Sequence, residues 1–304
     1  MRILVTGASG LLGLNAALEA SQKYEVFGSV HRNVIRTTAF TVIQSDLTEP
    51  GALEKLIDES QPDWVINCAA LANLEDCEAN PALAEKLNSE LPEKLANYVA
   101  KGGARLVHLS TDAVFDGKRG NYTEEDEPNP LSVYASTKLF GERAVLDANP
   151  EAVVARVNFY GWSLSGKRSL AEWFVNNLSA GNKIKGFTDI YFCPLQVNHL
   201  ANLLLRMLEL RLHGLYHVVS SECTSKYDFG IRLASLFGFE ESLIEPASVI
   251  QSGLRAARSP KLTLKAGKLK RALGNPTPGL TEGLESFFTQ YKNGYPEFIQ
   301  GMRA

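Results

Sequence analysis

Short apolar runs alternate with amphipathic stretches through the first half of the chain. Residues 3–6, 26–30, 41–44, 64–67, 106–109 and 153–157 read as strands. Between them, 11–22, 52–60, 83–101 and 133–147 carry a helical spacing of apolar positions. This alternation predicts an α/β fold with a doubly wound parallel sheet, right-handed crossovers and helices on both faces. After Gly161 the pattern loosens into helical stretches near 170–178, 200–210, 227–236 and 280–291, separated by irregular loops. Ser225 followed by Asp228 predicts a capped start for the third of these. The segment 253–263 reads as a loop and carries Arg255, Arg258 and Lys261. The predicted division is residues 1–160 for the sheet domain, completed by parts of 185–220, and 161–304 for a smaller lobe laid against it.

Composition narrows the class. The chain has 304 residues, 45% hydrophobic and 21% charged, enough to bury a large core. Formal net charge is -3 and no long Lys/Arg run occurs, which argues against a nucleic-acid or anionic-membrane surface. No apolar stretch reaches membrane-spanning length, and the first residues read as a strand, not a leader. Cys68, Cys77, Cys193 and Cys223 are scattered without CxxC spacing, so reduced thiols in a cytoplasmic protein are expected. Nothing in the spacing points to a metal site.

Thr6-Gly7-Ala8-Ser9-Gly10-Leu11-Leu12-Gly13 follows the first strand and opens the first helix. Gly7 permits a tight turn, Gly10 lets backbone approach a pyrophosphate, and Gly13 allows helix to pack closely on strand. The free N–H groups and the helix dipole then favour phosphate. That context predicts a dinucleotide site on a Rossmann sheet. After the second strand, Ser29-Val30-His31-Arg32-Asn33 lacks the acid that NAD binders place on the ribose. Arg32, helped by His31, favours the 2′-phosphate of NADP(H). Asp46 and Leu47 follow the third strand, beside the expected adenine. Cys68, Ala69 and Ala70 follow the fourth, where small side chains let a cofactor lie close.

Tyr134 and Lys138 stand four apart in a helical stretch and share one face. An ammonium there is expected to stabilise phenolate and make tyrosine an acid–base group. Thr111 ends the fifth strand, where it can hold a substrate carbonyl, although a turn cap is the plain alternative. Asn88 is expected to reach Lys138 through water, or else to be an ordinary helix-surface residue.

Four runs appear in family order: Thr6-Gly7-x-x-Gly10-x-x-Gly13, Asn67-x-Ala69-Ala70, Ser110-Thr111-Asp112-x-Val114-Phe115-Asp116-Gly117 and Tyr134-x-x-x-Lys138. With Tyr122-Thr123-Glu124 and Pro128-Asn129-Pro130, the chain resembles the extended short-chain dehydrogenase/reductases. Within them it is similar to the dTDP-4-dehydrorhamnose reductase branch. The resemblance implies NADPH-dependent reduction of a 4-keto group on a nucleotide-linked deoxysugar. It implies Tyr134 as proton donor, Lys138 as its activator and ribose ligand, and Thr111 as the carbonyl-side hydroxyl. Asp112, Asn158, Phe159, Trp162 and Arg258 are the expected substrate contacts, and a homodimer is an open expectation. The chain departs from the branch at 156–162 and 186–194, which leaves sugar and base open. Two alternatives stand. Epimerases and dehydratases share the scaffold but normally carry the acid that is missing after the second strand. The branch also has a non-catalytic NADP-binding relative, a regulatory partner of methionine adenosyltransferase.

Overall fold

The structure is a computed structural model that describes residues 1–251 and 259–304. Arg255 and Arg258 lie outside the described residues. Seven strands form the central sheet: β1 (Arg2–Thr6), β2 (Glu25–Val30), β3 (Thr41–Gln44), β4 (Trp64–Asn67), β5 (Arg105–Thr111), β6 (Val153–Val157) and β7 (Gly214–Val218). Their order is β7-β6-β5-β4-β1-β2-β3, and every pairing is parallel. Strands β4 and β6 are buried along their whole length. This is why they read as continuous apolar runs without alternation: both faces of a parallel sheet are covered.

One face packs the helices Leu11–Ser21 and Val197–Glu209, whose Leu14, Ala17, Leu200 and Leu204 are fully buried. The other face packs Ala52–Ser60, Leu91–Gly102 and Val133–Ala148 through Leu56, Leu95 and Val145. The chain thus returns to the sheet after residue 161, contributing β7 and a covering helix. Ser225 caps the helix Lys226–Phe237 by accepting the Asp228 N–H at 3.0 Å.

Two details differ from the sequence reading. The single helix expected over 83–101 is broken into Pro81–Glu85, a π-helical turn Lys86–Glu90 and Leu91–Gly102. Pro92 sits at the start of the last piece, where its missing N–H is harmless. Cys193 and Cys223 form a disulfide, which corrects the reduced-thiol expectation for that pair. Thirty residues separate them, but they follow and precede two short strands, Tyr191–Phe192 and Thr224–Ser225, that pair antiparallel. Cys68 and Cys77 are free thiols. Among the described residues, no helix is long and apolar enough to cross a membrane.

Candidate active site

The strand order reverses between β4 and β2 on either side of β1, and open α/β sheets bind ligands in the crevice at that point. A cavity of about 330 Å³ opens there. Its walls include Gly10 to Gly13 at one end and Cys68, Ala69 and Ala70 along one side. Tyr134, Lys138 and Phe159 line the other end. The sequence motifs, scattered over some 150 positions, therefore meet in one space.

The glycine turn is built to be close. Gly7 adopts φ 64°, a left-handed conformation that glycine takes at little cost. A Cβ on Gly13 would sit 2.2 Å from the Gly7 carbonyl oxygen. Helix Leu11–Ser21 has Gly10 at its N-cap, no side-chain cap and no acid in its first turn. Its first N–H groups stay available to an anion. Thr6 fixes the floor: its hydroxyl donates to Asn67 Oδ1 at 2.6 Å and accepts the Ala69 N–H at 3.1 Å.

From Asn67 a hydrogen-bonded chain runs to the catalytic-motif helix. Because its oxygen accepts from Thr6, Asn67 presents Nδ2 to His108 Nδ1, 3.0 Å away. Burial holds the His108 ring far below its usual pKa, with the Lys138 charge adding to the effect, so the ring is neutral. Its proton is then on Nε2, which faces Lys138 Nζ at 3.4 Å. Lys138 also donates to the Leu109 carbonyl. A donor aimed at Nζ suits an amine better than an ammonium. Burial pushes Lys138 down to about 8, against the opposing pull of Glu142 and Cys68.

Tyr134 departs from expectation. Burial raises its phenol to about 12, Asp112 adds to the rise, and the Thr111 hydroxyl acts the other way. Lys138 is not among the groups that shift it, because its ammonium points toward β5. The phenol is a loaded proton source, not a phenolate. Asp112 is itself buried and pushed up to about 6 by desolvation, although Asn158 donates to its Oδ2 at 2.6 Å and Thr111 to its Oδ1 at 3.2 Å. Thr111 also caps the turn Asp112–Val114 through the Ala113 N–H.

The helix Val133–Ala148 is locked in place. Its Glu142 makes a buried two-pronged pair with Arg156 of β6, at 2.9 and 2.7 Å, and accepts the Ser110 hydroxyl of β5 at 2.5 Å. A Cβ on Gly141 would lie 2.1 Å from the Asn88 carbonyl oxygen, so the helix can approach the π-helical turn only there. That turn aims Asn88 inward. Asn88 donates to the Leu71 carbonyl at 3.0 Å and to Thr137 Oγ1 at 3.1 Å, and accepts the Leu71 N–H at 2.9 Å. Both donors of its side chain are spent, so the side chain braces the helix.

Other expected residues scatter. Asn158 reaches the site through Asp112, and Phe159 lines the cavity. Trp162 does not: it is 4% exposed, stacks on Phe287 with centroids 4.0 Å apart and donates to that residue's carbonyl at 3.1 Å. Its role is core packing. His31 turns to Asp46 at 3.1 Å, and Leu47 packs against the core face shared with Leu53. Arg32 and Ser9 line a neighbouring cavity. Sequence reasoning missed His108 and Arg168. The capping box of Ser169 and Glu172 marks the loop that carries Arg168. Among the described residues no His, Cys, Asp and Glu cluster is placed to hold a metal ion.

Residues 1–293 match the family described as RmlD substrate binding domain. The chain belongs to that family. It is 34% identical over 301 residues to the probable low-salt glycan biosynthesis reductase Agl14 of Haloferax volcanii, covering 96% of this chain and 100% of that protein. It is 34% identical to the dTDP-4-dehydrorhamnose reductase of Mycobacterium tuberculosis, over 85% of this chain and 83% of the relative. It is also 32% identical to the methionine adenosyltransferase 2 subunit beta of Rattus norvegicus, over 94% and 88%. The crystal structure of Bacillus anthracis dTDP-4-dehydrorhamnose reductase in complex with NADP superposes with a TM-score of 0.84 at 25% identity, over 95% of this chain and 99% of that one. For an RmlD-family chain the glycine turn, the Tyr134–Lys138 pair and their shared cavity are the parts that bear on chemistry.

Proposed function

We infer that this RmlD-family chain is an NADP(H)-dependent oxidoreductase that reduces a 4-keto group on a nucleotide-linked deoxysugar. The observation that carries the reading is the single cavity lined at one end by Gly10–Gly13 and at the other by Tyr134 and Lys138. The residues fit the cofactor: the uncapped helix start takes a pyrophosphate, the small side chains 68–70 give it room, and Arg32 offers charge for a 2′-phosphate.

Bound NADPH supplies the hydride that goes to the carbonyl carbon. Tyr134, protonated at neutral pH, gives its phenolic proton to the carbonyl oxygen. Thr111, beside the phenol, offers a hydroxyl to the same oxygen. Lys138, held by Leu109 and His108, stands ready to bind the ribose hydroxyls and to return the proton. Asp112 and Asn158 form a polar wall for the sugar, and Phe159 covers it. Arg258 is proposed for the substrate diphosphate.

For the assembly we propose a homodimer, because Leu131, just before helix Val133–Ala148, and Phe140, at its middle, are 49% and 51% exposed. A cytoplasmic setting belongs to the same proposal, and its reductants would act on the Cys193–Cys223 bond.

Tyr134→Phe tests the reading. We expect NADPH-dependent reduction of dTDP-4-dehydrorhamnose to fall by about 10²–10⁴, with NADPH affinity by fluorescence titration kept. Turnover at the parental rate would remove Tyr134 from the chemistry. A parent that binds NADPH yet reduces no nucleotide sugar would favour the non-catalytic reading, which the likeness to the methionine adenosyltransferase subunit supports.

A further inference from the structure

A second cavity, of about 370 Å³, opens beside the glycine turn. Its walls carry Ser9, Arg32 and Asn33 from the start of the sheet, Arg168 from the loop after β6 and Arg303 from the last residues of the chain. Arg168 also lines the active-site cavity, so the two spaces adjoin at that residue. Resting on the NADP reading above, we propose that Arg303 and Arg168 complete, with Arg32, a three-arginine binding site for the adenosine 2′-phosphate, and that the segment 302–304 is therefore part of the cofactor site.

Charge points to an anion. Among the described residues, no carboxylate lies within ion-pairing distance of Arg32, Arg168 or Arg303. Asp46 feels the field of Arg32, but its oxygens are engaged by Thr48 and His31. Three cations gathered at one concavity repel one another, and a dianionic phosphate reverses the sign of that interaction. Guanidinium offers forked donors that match phosphate oxygens.

The arrangement is built into the backbone. The loop before Arg168 is tied to the fully buried Glu172, whose carboxylate accepts the N–H of Ser163 at 2.6 Å, of Arg168 at 2.8 Å and of Ser169 at 3.0 Å. Arg303 is held by a bridge to Ile35, flanked by the Arg36 N–H to the Met302 carbonyl at 2.7 Å and the Ala304 N–H to the Val34 carbonyl at 3.3 Å. Buried Ile35, Ile299 and Met302 anchor that pairing. The segment that carries Arg303 is thus stitched to the loop that carries Arg32. The discrimination between NADP and NAD is shared between positions 32 and 303, at opposite ends of the sequence.

Calorimetric titration with 2′,5′-ADP tests this without any turnover, alongside NADPH and NADH by fluorescence. We expect Arg303→Ala to weaken 2′,5′-ADP and NADPH by about tenfold or more, the loss of one charge-assisted hydrogen bond, and to leave NADH unchanged. Arg168→Ala should weaken 2′,5′-ADP and NADPH more than NADH, with some NADH loss because that residue lines both cavities; equal losses for NADPH and NADH would remove Arg168 from the 2′-phosphate site. Arg303→Lys, which keeps the charge, should recover part of the loss. If Arg303→Ala bound 2′,5′-ADP as the parent does, the terminal segment would be no part of the site. A parent that binds neither 2′,5′-ADP nor NADPH would instead overturn the NADP reading on which the proposal rests.

Discussion

Asp112→Asn is a test of the site's electrostatics that needs no substrate. The carboxyl is 4% exposed and burial raises it from 3.8 to about 6, against the pull of Asn158, Thr111 and Lys226. That shift of about two pH units corresponds to roughly 3 kcal/mol between protonated and ionised folded forms. The sign follows from proton binding: between pH 4 and 6 the folded state holds a proton that the unfolded chain has released. Stability from this group is therefore fully present below pH 4 and is lost as pH rises through 6. An amide cannot ionise, so Asp112→Asn should gain on the parent by up to about 3 kcal/mol across that window, on top of a constant offset from the altered contacts with Asn158 and Thr111. Urea unfolding of both proteins at several pH values from 4 to 7, without cofactor, measures the difference. Asp116 and Asp126, both held near pKa 2 by hydrogen bonds, cancel between the two proteins. A stability difference that stays flat with pH would refute the buried, raised carboxyl.

Two further expectations follow from the same geometry. Lys138 is 3% exposed and depressed from 10.5 to about 8. Its ammonium thus costs the fold roughly 3 kcal/mol below pH 8, so Lys138→Met should be more stable than the parent at pH 7, with the gain fading between pH 8 and 10.5; denaturant unfolding at pH 7 and 10 checks it, and a less stable variant at pH 7 would contradict it. Trp162→Ala should cost about 3–5 kcal/mol by removing the stack on Phe287, while NADPH affinity measured well below the melting temperature stays at the parental value.

What the sequence made legible was local. Strands β1, β4, β5 and β6 stood out because each is a short, largely apolar run buried along most of its length. Tyr134 and Lys138 could be paired on spacing alone because four residues of helix bring them to one face. The glycine turn was readable because strand, turn and helix follow one another directly. What stayed hidden depends on partners far along the chain. Trp162 has the look of a cleft aromatic until the helix Leu280–Lys292 lays Phe287 across it. Asn88 has the look of a surface residue until a π-helical turn rotates it under the Tyr134 helix, where Gly141 leaves the space.

The same physics sets the electrostatics of Tyr134 apart from what helix spacing predicts. Spacing says that Tyr134 and Lys138 share a helix face, but it does not say where the ammonium points. His108 and the Leu109 carbonyl, both on β5, draw Nζ toward the sheet, and the phenol is left with burial and the Asp112 carboxylate, which both hold its proton on. In this state the site suits proton donation to a ketone and opposes proton removal from an alcohol. A cofactor ribose that drew Lys138 away from β5 would bring the ammonium toward the phenol and lower its pKa, so that acidity of Tyr134 becomes coupled to cofactor binding. Under the proposed function, His108 would bear on that coupling through its 3.4 Å contact with Nζ. Buried on β5, position 108 thus touches one of the two residues that the motif names, a contact that spacing alone does not reveal.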